Sequence, residues 1–265
     1  MNEKCALQAG FRLRWMGCAC FEMDFGGMTV VSDPYITDNK RHSLTWEDIE
    51  HCDLIVVSHT HHDHTPDIPL LMEKFGARLL CGDMAAPLFL KWLDCNPMSI
   101  YPLAPNVELD FGPVKIKALF GQHLRLEGKA SERRAAAEKA EYTHGDSTLI
   151  ELALLGDLEY RNYLYTLPNG LRMLVWGNDL SLPEQRNFLR EIHPDIAVLQ
   201  MTKNSGADTA QICREMGCRI VVPHHFDYPN PDRYYPKVLE LQDQLAQTAP
   251  EIRFVFPEYG KWIDM

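Results

Sequence analysis

The segment 58–65, Ser-His-Thr-His-His-Asp-His-Thr, brings several side chains that bind metals into one short stretch. His59 and His61 alternate, so both imidazoles can point to one side of an extended chain. Asp63 and His64 follow where the chain is expected to turn, and they can point elsewhere. Imidazole and carboxylate groups together suit Zn²⁺, Mn²⁺ and iron. The spacing therefore predicts a loop that serves two neighbouring metal ions.

A strand and a helix are expected to hold this loop in place. The apolar run 53–57 has a β-branched centre and predicts a buried strand. Thr65 suits the N-cap of a following helix, and Pro66 suits its first position because the missing N–H is not needed there. We therefore predict a helix over 66–75. A surface cluster of histidines is the alternative, but its place directly after a buried strand favours a metal loop.

The ligands of this loop stand in the order of a known signature. They resemble the H-x-H-x-D-H signature of the metallo-β-lactamase superfamily of metal-dependent hydrolases, with its fixed positions at His59, His61, Asp63 and His64 and its variable one at His62. The resemblance extends over residues 15–256. The predicted elements form two series of strands, each with helices following, which implies an α/β (α+β) fold: a four-layer αββα sandwich.

The beginning of the chain resembles the lactonase-like branch of that superfamily. The pattern is Trp-x-Gly-x-Ala-x-Phe over 15–21, followed by Ser-Asp-Pro over 32–34. That branch usually has histidine after the first glycine, and Cys18 stands there instead. We expect Cys18 to be a small buried side chain, with a reactive or ligand role as the alternative. Asp33 is expected to orient a ligand or the histidine loop, and a turn-forming aspartate is the alternative.

In the superfamily, the third histidine of the first ion stands at the end of a strand. His123 follows the predicted strand 114–120 and a glycine whose backbone freedom permits an unusual turn. We choose His123, and His144 is the alternative.

The segment 124–146 is a candidate lid insertion in a chain that we expect to form one domain over 1–265. Its charged residues surround three consecutive alanines, which favour a helix. The helix either lies on the solvated surface or covers the ions. As a lid it would bind a phosphate or carboxylate of the substrate through arginine. Arg125 is the candidate for this contact, together with His144.

The remaining ligands come from the second half of the chain. The superfamily places a bridging aspartate after a strand and a glycine, and Asp179 fits after the strand predicted over 171–176, with Asn178 inserted. Each oxygen of such a carboxylate can serve one ion. The last histidine of the family lies in a Pro-x-His-aromatic context, which His225 matches. His224 is the alternative ligand, or else it supports a ligand or the core.

The resemblance therefore implies two divalent ions per chain, with Zn²⁺ or Mn²⁺ favoured and iron as a further option. The first ion would be held by His59, His61 and His123, the second by Asp63, His64 and His225, and both by the bridging Asp179. Two ions about 3.5–4 Å apart lower the pKa of bound water from about 15.7 toward 7, which provides a hydroxide nucleophile at neutral pH. Asp63 and Asp179 are the expected catalytic carboxylates, and Asp63 would also accept a proton.

We predict a binuclear metal-dependent hydrolase that cleaves an ester, lactone or phosphoester bond of a small polar substrate. The alternatives are a nuclease or phosphodiesterase of the same fold and a metal-binding sensor without catalysis. A nuclease would need a basic cleft, whereas the formal net charge is -11. A sensor would have lost ligands, whereas a full set can be assigned. A di-iron redox protein of this fold is disfavoured, because such proteins commonly have Glu at the position of His61 and bring a flavin domain, and we expect neither here.

The composition predicts a cytoplasmic protein without a membrane partner. The 265 residues are 46% hydrophobic, which is ordinary for a globular chain. No apolar run is long enough to span a bilayer, and no signal-peptide pattern opens the sequence. The eight cysteines form no C-x-x-C pair, so we expect reduced thiols. The sequence leaves a homo-oligomer open.

The apolar pattern predicts further elements after the insertion. Strands are predicted over 147–154, 171–176, 194–200, 219–223 and 253–256. Helices are predicted over 182–192, 208–216 and 234–247.

Overall fold

The structure is a computed structural model that describes residues 10–122, 130–177, 179–180 and 182–265. Within these residues the strands form two seven-stranded sheets. The first sheet contains β1 (Arg12–Gly17), β2 (Cys20–Asp24), β3 (Thr29–Ser32), β4 (Leu54–Val56), β5 (Arg78–Gly82), β6 (Ile100–Leu103) and β14 (Trp262–Asp264). The second contains β7 (Glu108–Asp110), β8 (Lys115–Gly121), β9 (Tyr160–Thr166), β10 (Arg172–Trp176), β11 (Ile196–Gln200), β12 (Ile220–His224) and β13 (Arg253–Phe254).

The helices in this described part are α1 (Ile68–Phe75), α2 (Ala86–Leu93), α3 (Ala130–Lys139), α4 (Ser147–Gly156), α5 (Pro183–Ile192), α6 (Gly206–Met216) and α7 (Pro231–Thr248). Short 3₁₀ turns occur at Trp46–Asp48, His62–His64, Pro97–Ser99 and Glu141–Thr143. None of the described helices is long and apolar enough to cross a membrane.

Alternating side chains of the strands produce the layers. In β4, Leu54 and Val56 join the core shared with the second sheet, whereas Ile55 packs in a separate apolar cluster with Ile68 and Leu71 of α1. Successive strand residues face opposite sides, so one buried strand serves both clusters. Helices α5, α6 and α7 contribute apolar side chains to the packing on the second sheet. The predicted four-layer αββα sandwich is confirmed.

Parallel strands gather the loops that carry the candidate ligands. In the first sheet β3, β4, β5 and β6 are parallel neighbours, and in the second sheet β10, β11, β12 and β13 are. The carboxyl ends of parallel strands meet at one edge of a sheet, which is where ligands bind in α/β folds. Asp33 follows β3, the histidine loop follows β4, and His225 follows β12.

One edge strand of the first sheet, β14, lies far in sequence from the strand with which it pairs. Strand β14 pairs antiparallel with β1, with Leu13 opposite Ile263, and the amide of Gly260 donates to the carbonyl of Trp15 at 2.8 Å. The edge strand next to β1 therefore comes from a distant part of the sequence. The prediction of a final strand over 253–256 is wrong in its extent: the strand ends at Phe254, the amide of Val255 makes one more hydrogen bond to the carbonyl of Val221 at 2.9 Å, and a later strand follows.

The strand predicted over 147–154 is wrong: residues Ser147–Gly156 form α4. Asp146 is its N-cap, and its carboxylate accepts from the amides of Thr148 (2.6 Å) and Leu149 (3.1 Å). The first amides of a helix have no carbonyl partner within the helix, and an N-cap side chain of this kind accepts their hydrogen bonds. A short apolar run does not distinguish a buried helix from a strand, and here the cap decides.

The helix after the histidine loop begins two residues later than predicted. Thr65 is not its N-cap but ends the 3₁₀ turn His62–His64, and its hydroxyl donates to the carbonyl of His61 at 3.2 Å. Asp67 precedes α1, and its carboxylate instead accepts from the amide of Ile36 at 2.7 Å. The extra turn places the candidate ligands between the strand and the helix.

Candidate metal centre

The histidine loop is fixed where β4 ends. The amide of Ser58 donates to the carboxylate of Asp33 at 2.7 Å, and the amide of His64 donates to the carbonyl of His61 at 3.1 Å. Asp33 has a positive φ of 41°, which is uncommon for a residue other than glycine. The hydrogen bond from Ser58 to Asp33 thus joins the loop after β4 to the loop after β3.

Four side chains converge at this edge of the sandwich. Their ligating atoms all lie within 4.8 Å of one another, and they belong to Cys18, Asp63, His64 and His225. Nε2 of His225 is 3.4 Å from Sγ of Cys18 and 3.4 Å from Oδ2 of Asp63. Nε2 of His64 is 3.8 Å from Oδ1 of Asp63. We call this set the four-residue cluster.

Three separations in the four-residue cluster are close to those around one tetrahedral ion. Zinc bonds to sulfur, nitrogen and oxygen are about 2.0–2.3 Å long, and the edges of a tetrahedron are about 1.6 times longer, roughly 3.3–3.8 Å. The distances from Nε2 of His225 to Sγ of Cys18 and to Oδ2 of Asp63, and from Nε2 of His64 to Oδ1 of Asp63, span 3.4–3.8 Å, and all ligand atoms of the cluster lie within 4.8 Å of one another. The donor set of one thiol, one carboxylate and two imidazoles is also one that Zn²⁺ accepts. The residues present therefore fit a divalent ion.

Hydrogen bonds on the far side of the rings orient both imidazoles. Nδ1 of His64 is 3.3 Å from the carboxylate of Asp33, and Nδ1 of His225 is 3.0 Å from the carbonyl of Tyr228. A proton on Nδ1 satisfies each partner and leaves Nε2 as the free electron pair. Metal-binding histidines are usually held in this way. Both Nε2 atoms accordingly face Asp63.

Charge in the cluster is arranged around the Asp63 carboxylate. Burial raises the pKa of Asp63, but the neighbouring charges of His64 and His225 outweigh it and hold the pKa well below its ordinary value. Burial lowers the pKa of His64, but the carboxylates of Asp33 and Asp63 reverse this and raise it. Burial, reinforced by the charge of Asp63, raises the pKa of the Cys18 thiol. Without a cation, the site therefore contains an ionised carboxylate beside an imidazole that favours protonation.

A second pair of imidazoles lies next to the four-residue cluster. Nε2 of His59 is 3.1 Å from Nδ1 of His61, a separation at which both atoms can bind one ion. The other nitrogen of His61 is 3.0 Å from the carboxylate of Asp157, and that of His59 is 3.0 Å from the hydroxyl of Ser58. The ring of His59 lies 4.1 Å from the ring of His64, centroid to centroid. The two groups of ligands are thus direct neighbours.

The end of helix α4 packs against His61. Its last residue, Gly156, lies so close that a Cβ would collide with the imidazole of His61 and stand 2.9 Å from the His61 backbone nitrogen. Asp157 follows immediately and orients that imidazole. Because Gly156 has no side chain, the imidazole of His61 can lie against the end of the helix.

The described part of the insertion packs on the same loop. The guanidinium of Arg133 in α3 donates to the carboxylate of Asp157 at 2.8 Å. The ring of Tyr142 stacks on His62 with centroids 4.5 Å apart and planes at 13°. Residues 130–146 therefore contact both the residue that orients His61 and the variable position of the signature.

Two predicted site residues, His123 and Arg125, lie outside the described residues, so their roles stay predictions. Asp179 follows β10 and does not belong to the four-residue cluster. Burial lowers the pKa of Lys203 to about 8, and the negative charge of the Asp179 carboxylate opposes this shift. The bridging role of Asp179 also stays a prediction.

The two alternative histidines occupy different surroundings. His144 is exposed, with a φ of 48° after the 3₁₀ turn Glu141–Thr143. His224 is buried edge-on against Phe21, with centroids 5.8 Å apart. Among the described residues neither ring nitrogen of His224 has a hydrogen-bond partner. Burial lowers the pKa of His224 to about 3. The structure places His225, and not His224, in the four-residue cluster.

Sequence reasoning missed Asp157, Arg133 and the carbonyl of Tyr228, and it gave Cys18 a ligand role only as the alternative. Cys18 stands where the lactonase-like branch has histidine, and that position was the available signal for a ligand. Asp157 and Arg133 carried no signal, because nothing in the sequence indicates that α4 ends beside His61. The carbonyl of Tyr228 had no signal either, since any residue type supplies one.

Comparisons with known proteins identify the family and the fold of this chain. A family model described as "Beta-lactamase superfamily domain" matches residues 12–225. A relative from Anoxybacillus flavithermus, called UPF0173 metal-dependent hydrolase, is 30% identical in an alignment of 228 residues that covers 82% of this chain and 86% of the relative.

Two solved structures share the fold. One is Igni18, a novel metallo hydrolase from the archaeon Ignicoccus hospitalis, with a TM-score of 0.66, 16% identity and coverage of 96% of this chain and 97% of the other. The second is an isothiocyanate hydrolase from Delia radicum gut bacteria, with a TM-score of 0.65, 17% identity and coverage of 96% and 98%.

Proposed function

Because the chain belongs to the beta-lactamase superfamily, we propose that it is a hydrolase in which two divalent ions act on an ester, lactone or phosphoester bond of a small polar substrate. Metal-dependent hydrolysis is the coarser part of this proposal, and the names of the relatives support it. The observation that carries the finer part is the convergence of the four-residue cluster and the His59–His61 pair at one edge of the sandwich.

Each group of ligands would hold one ion. His59 and His61 would hold the first, with His123 as the third ligand and Asp179 as the bridge. Asp63, His64 and His225 would hold the second. Bound divalent ions would supply a water nucleophile at neutral pH and would polarise the scissile bond.

The chain's own residues orient the ligands and shape the approach to them. Asp33, Asp157 and the carbonyl of Tyr228 fix the rings of His64, His61 and His225, respectively. Held in this way, the imidazoles need no reorganisation when the substrate arrives, and such preorganisation is a main source of catalysis.

A row of aromatic rings borders the site on the side of the insertion. Tyr142 stacks on His62, and Tyr35 lies 5.8 Å from His62 and 5.1 Å from Tyr228, between ring centroids. The charge of Asp63 is close enough to contribute to raising the pKa of each of these tyrosines, after burial. Because His62 directly precedes Asp63 in the chain, the row stands beside the carboxylate and would exclude water from one side of a bound substrate. A small substrate suits an approach that is covered in this way.

The test combines metal analysis with turnover. We expect two equivalents of Zn²⁺ or Mn²⁺ per chain after reloading, and hydrolysis of a member of a lactone and phosphodiester panel that a chelator abolishes and the metal restores. The variant His59→Ala should lose both an ion and activity. The control His51→Ala removes an exposed histidine paired with Asp53 and should retain both. Two bound ions without turnover of any panel member would favour the sensor, and turnover unaffected by a chelator would refute the metal mechanism.

A further inference from the structure

We propose that the sulfur of Cys18 is a ligand of the second ion, which makes a Cys-Asp-His-His site and favours Zn²⁺ over Mn²⁺. This inference rests on the proposed function, because it concerns an ion of the same centre. Its first support is position: Sγ lies 3.4 Å from Nε2 of His225, and that nitrogen lies 3.4 Å from Asp63.

The backbone of Cys18 is held in a conformation that directs the side chain into the cluster. Its φ is 48°, in the left-handed region that residues with a Cβ rarely adopt. The amide donates to both carboxylate oxygens of Asp227 at 3.1 Å. The carbonyl accepts from the indole of Trp15 and from the amide of His225, both at 2.9 Å. Strained residues that persist at such cost cluster at functional sites.

A second layer of contacts holds Asp227 in turn. Its carboxylate accepts hydrogen bonds from the side-chain amide of Asn39 and from the hydroxyl of Tyr259, each at 3.1 Å. The ring of Tyr259 stacks on Trp15, with centroids 4.5 Å apart. Residues from four separate parts of the chain thus fix one cysteine. Such supporting shells are typical of metal ligands.

Core packing explains the neighbouring cysteine but not this one. Cys20 belongs to the apolar cluster on the outer face of the first sheet, with Val31 and Ile55. Cys18 is equally buried, yet it belongs to neither apolar cluster, and its described contacts are polar groups and imidazole. A small hydrophobic role therefore accounts for Cys20 alone.

A sulfur ligand has consequences for the choice of ion. Zn²⁺ accepts thiolate ligands, whereas Mn²⁺ prefers carboxylate, carbonyl and water oxygens. With four protein ligands of its own, the second ion would stay bound without the bridge, and Asp179 would be a further ligand of this ion. We expect Asp179→Asn to retain this ion.

Cobalt spectroscopy tests the sulfur bond directly. We expect the protein loaded with Co²⁺ to show a thiolate-to-cobalt charge-transfer band in the near ultraviolet. The band should disappear in Cys18→Ser and Cys18→Ala and remain in the control Cys20→Ala. In competition with a chelator, Cys18→Ser should bind Zn²⁺ at the second site at least about tenfold more weakly, and its affinity for Mn²⁺ should change less.

The outcomes separate this inference from the proposed function. Two bound cobalt ions without a charge-transfer band in the unaltered protein would overturn the role of Cys18 and leave the two-ion centre standing. An identical band in Cys18→Ala would do the same. A protein that binds no ion after reloading would refute the proposed function itself. The spectrum of the unaltered protein decides the question even where a variant fails to fold, which circular dichroism would reveal.

Discussion

Asp157 gives the sharpest test of orientation at a single residue. Its carboxylate lies 3.0 Å from His61 and accepts from Arg133 at 2.8 Å. The change Asp157→Asn keeps the shape but removes the charge that fixes the ring. We expect the affinity for the first ion to fall about 10–100-fold, as is usual when such a partner is lost, measured by competition with a chelator.

The control for this prediction is Asp38→Asn. Asp38 stands 3.8 Å from His62, which occupies the variable position of the signature and is not a predicted ligand. Metal affinity should therefore stay unchanged in this variant. An equal loss in both variants would mean that surface charge, and not the orientation of His61, controls binding.

The lowered pKa of the buried His224 predicts that the stability of the protein depends on pH. Its pKa is lowered by burial to about 3 in the folded protein, against about 6.5 in the unfolded chain. Above pH 6.5 the ring is neutral in both states and its contribution is fully present. As the pH falls from about 6.5 toward 3, only the unfolded chain binds the proton. The free energy of unfolding should then fall by up to about 1.4 kcal/mol per pH unit from this group alone.

The variant His224→Leu isolates that contribution. Urea unfolding of the metal-free protein between pH 7 and 4 should show a shallower loss of stability in the variant than in the unaltered protein. Titrating groups that do not interact with His224 cancel in the difference, whereas the charges of His225 and His64 also act on its pKa and belong to the measured effect. Parallel pH profiles for the two proteins would show that His224 is not the group responsible.

The residues of the centre were predictable to different degrees. His59, His61, Asp63 and His64 stand out because one short loop carries them. The groups that orient them do not stand out, because a backbone carbonyl or a carboxylate 96 residues away from His61 has no local pattern. The sequence alone favours a core role for Cys18, since burial and metal binding both suit a small side chain.

At the scale of elements, the end of α4 controls the position of His61. Gly156 lies where any side chain would collide with that imidazole. Alanine normally favours a helix over glycine by about 1 kcal/mol. We expect Gly156→Ala to do the opposite: it should displace His61, weaken binding of the first ion and lower the unfolding temperature. Metal content and thermal unfolding measure the two effects.

Gly217→Ala is the matched control for this change. Gly217 ends helix α6 with a φ of 68°, and an added methyl group there would meet no described atom within 4 Å, so the substitution strains the backbone at a helix end away from the site. It should lower stability but leave metal content unchanged. If Gly156→Ala merely lowered stability in the same way, the support of His61 by α4 would be refuted.

The strands and helices were predictable where local patterns and burial agree. Strand β4 alternates between two apolar clusters and was predicted. Strand β9 was not, because buried polar side chains interrupt its apolar pattern: Arg161 is buried and pairs with Glu159 at 2.7 Å and Asp83 at 2.6 Å. Tertiary packing overrides the local signal in β9. In α4 the apolar run is short and fits a strand as well as a helix, and the Asp146 cap decides for the helix.

At the scale of the molecule, the layered fold followed from the order of the elements, but the pairing at its edges did not. The candidate ligands come from both sheets: Cys18 and Asp63 from the first, His225 from the second. A bound ion therefore joins parts that separate on unfolding, and it should stabilise the whole fold.

Metal removal should accordingly lower global stability. An ion present at 100 times its dissociation constant stabilises the folded state by about 2.7 kcal/mol. For a chain of this size, each kcal/mol shifts the unfolding temperature by roughly 2–4 °C. We expect the chelated protein to unfold several degrees lower, with recovery on addition of Zn²⁺, in a calorimetric scan. Equal unfolding temperatures with and without the ion would contradict a site shared between the sheets.

The pairing of β14 with β1 has a consequence for how the protein is made. Residues 262–264 lie beside residues 12–14, and Tyr259 reaches Cys18 through Asp227. A nascent chain still attached to the ribosome would lack both the edge strand and this support until residues 259–264 emerge. Loading with metal would thus follow the synthesis of this segment, and a polypeptide clipped before it would not acquire an intact centre.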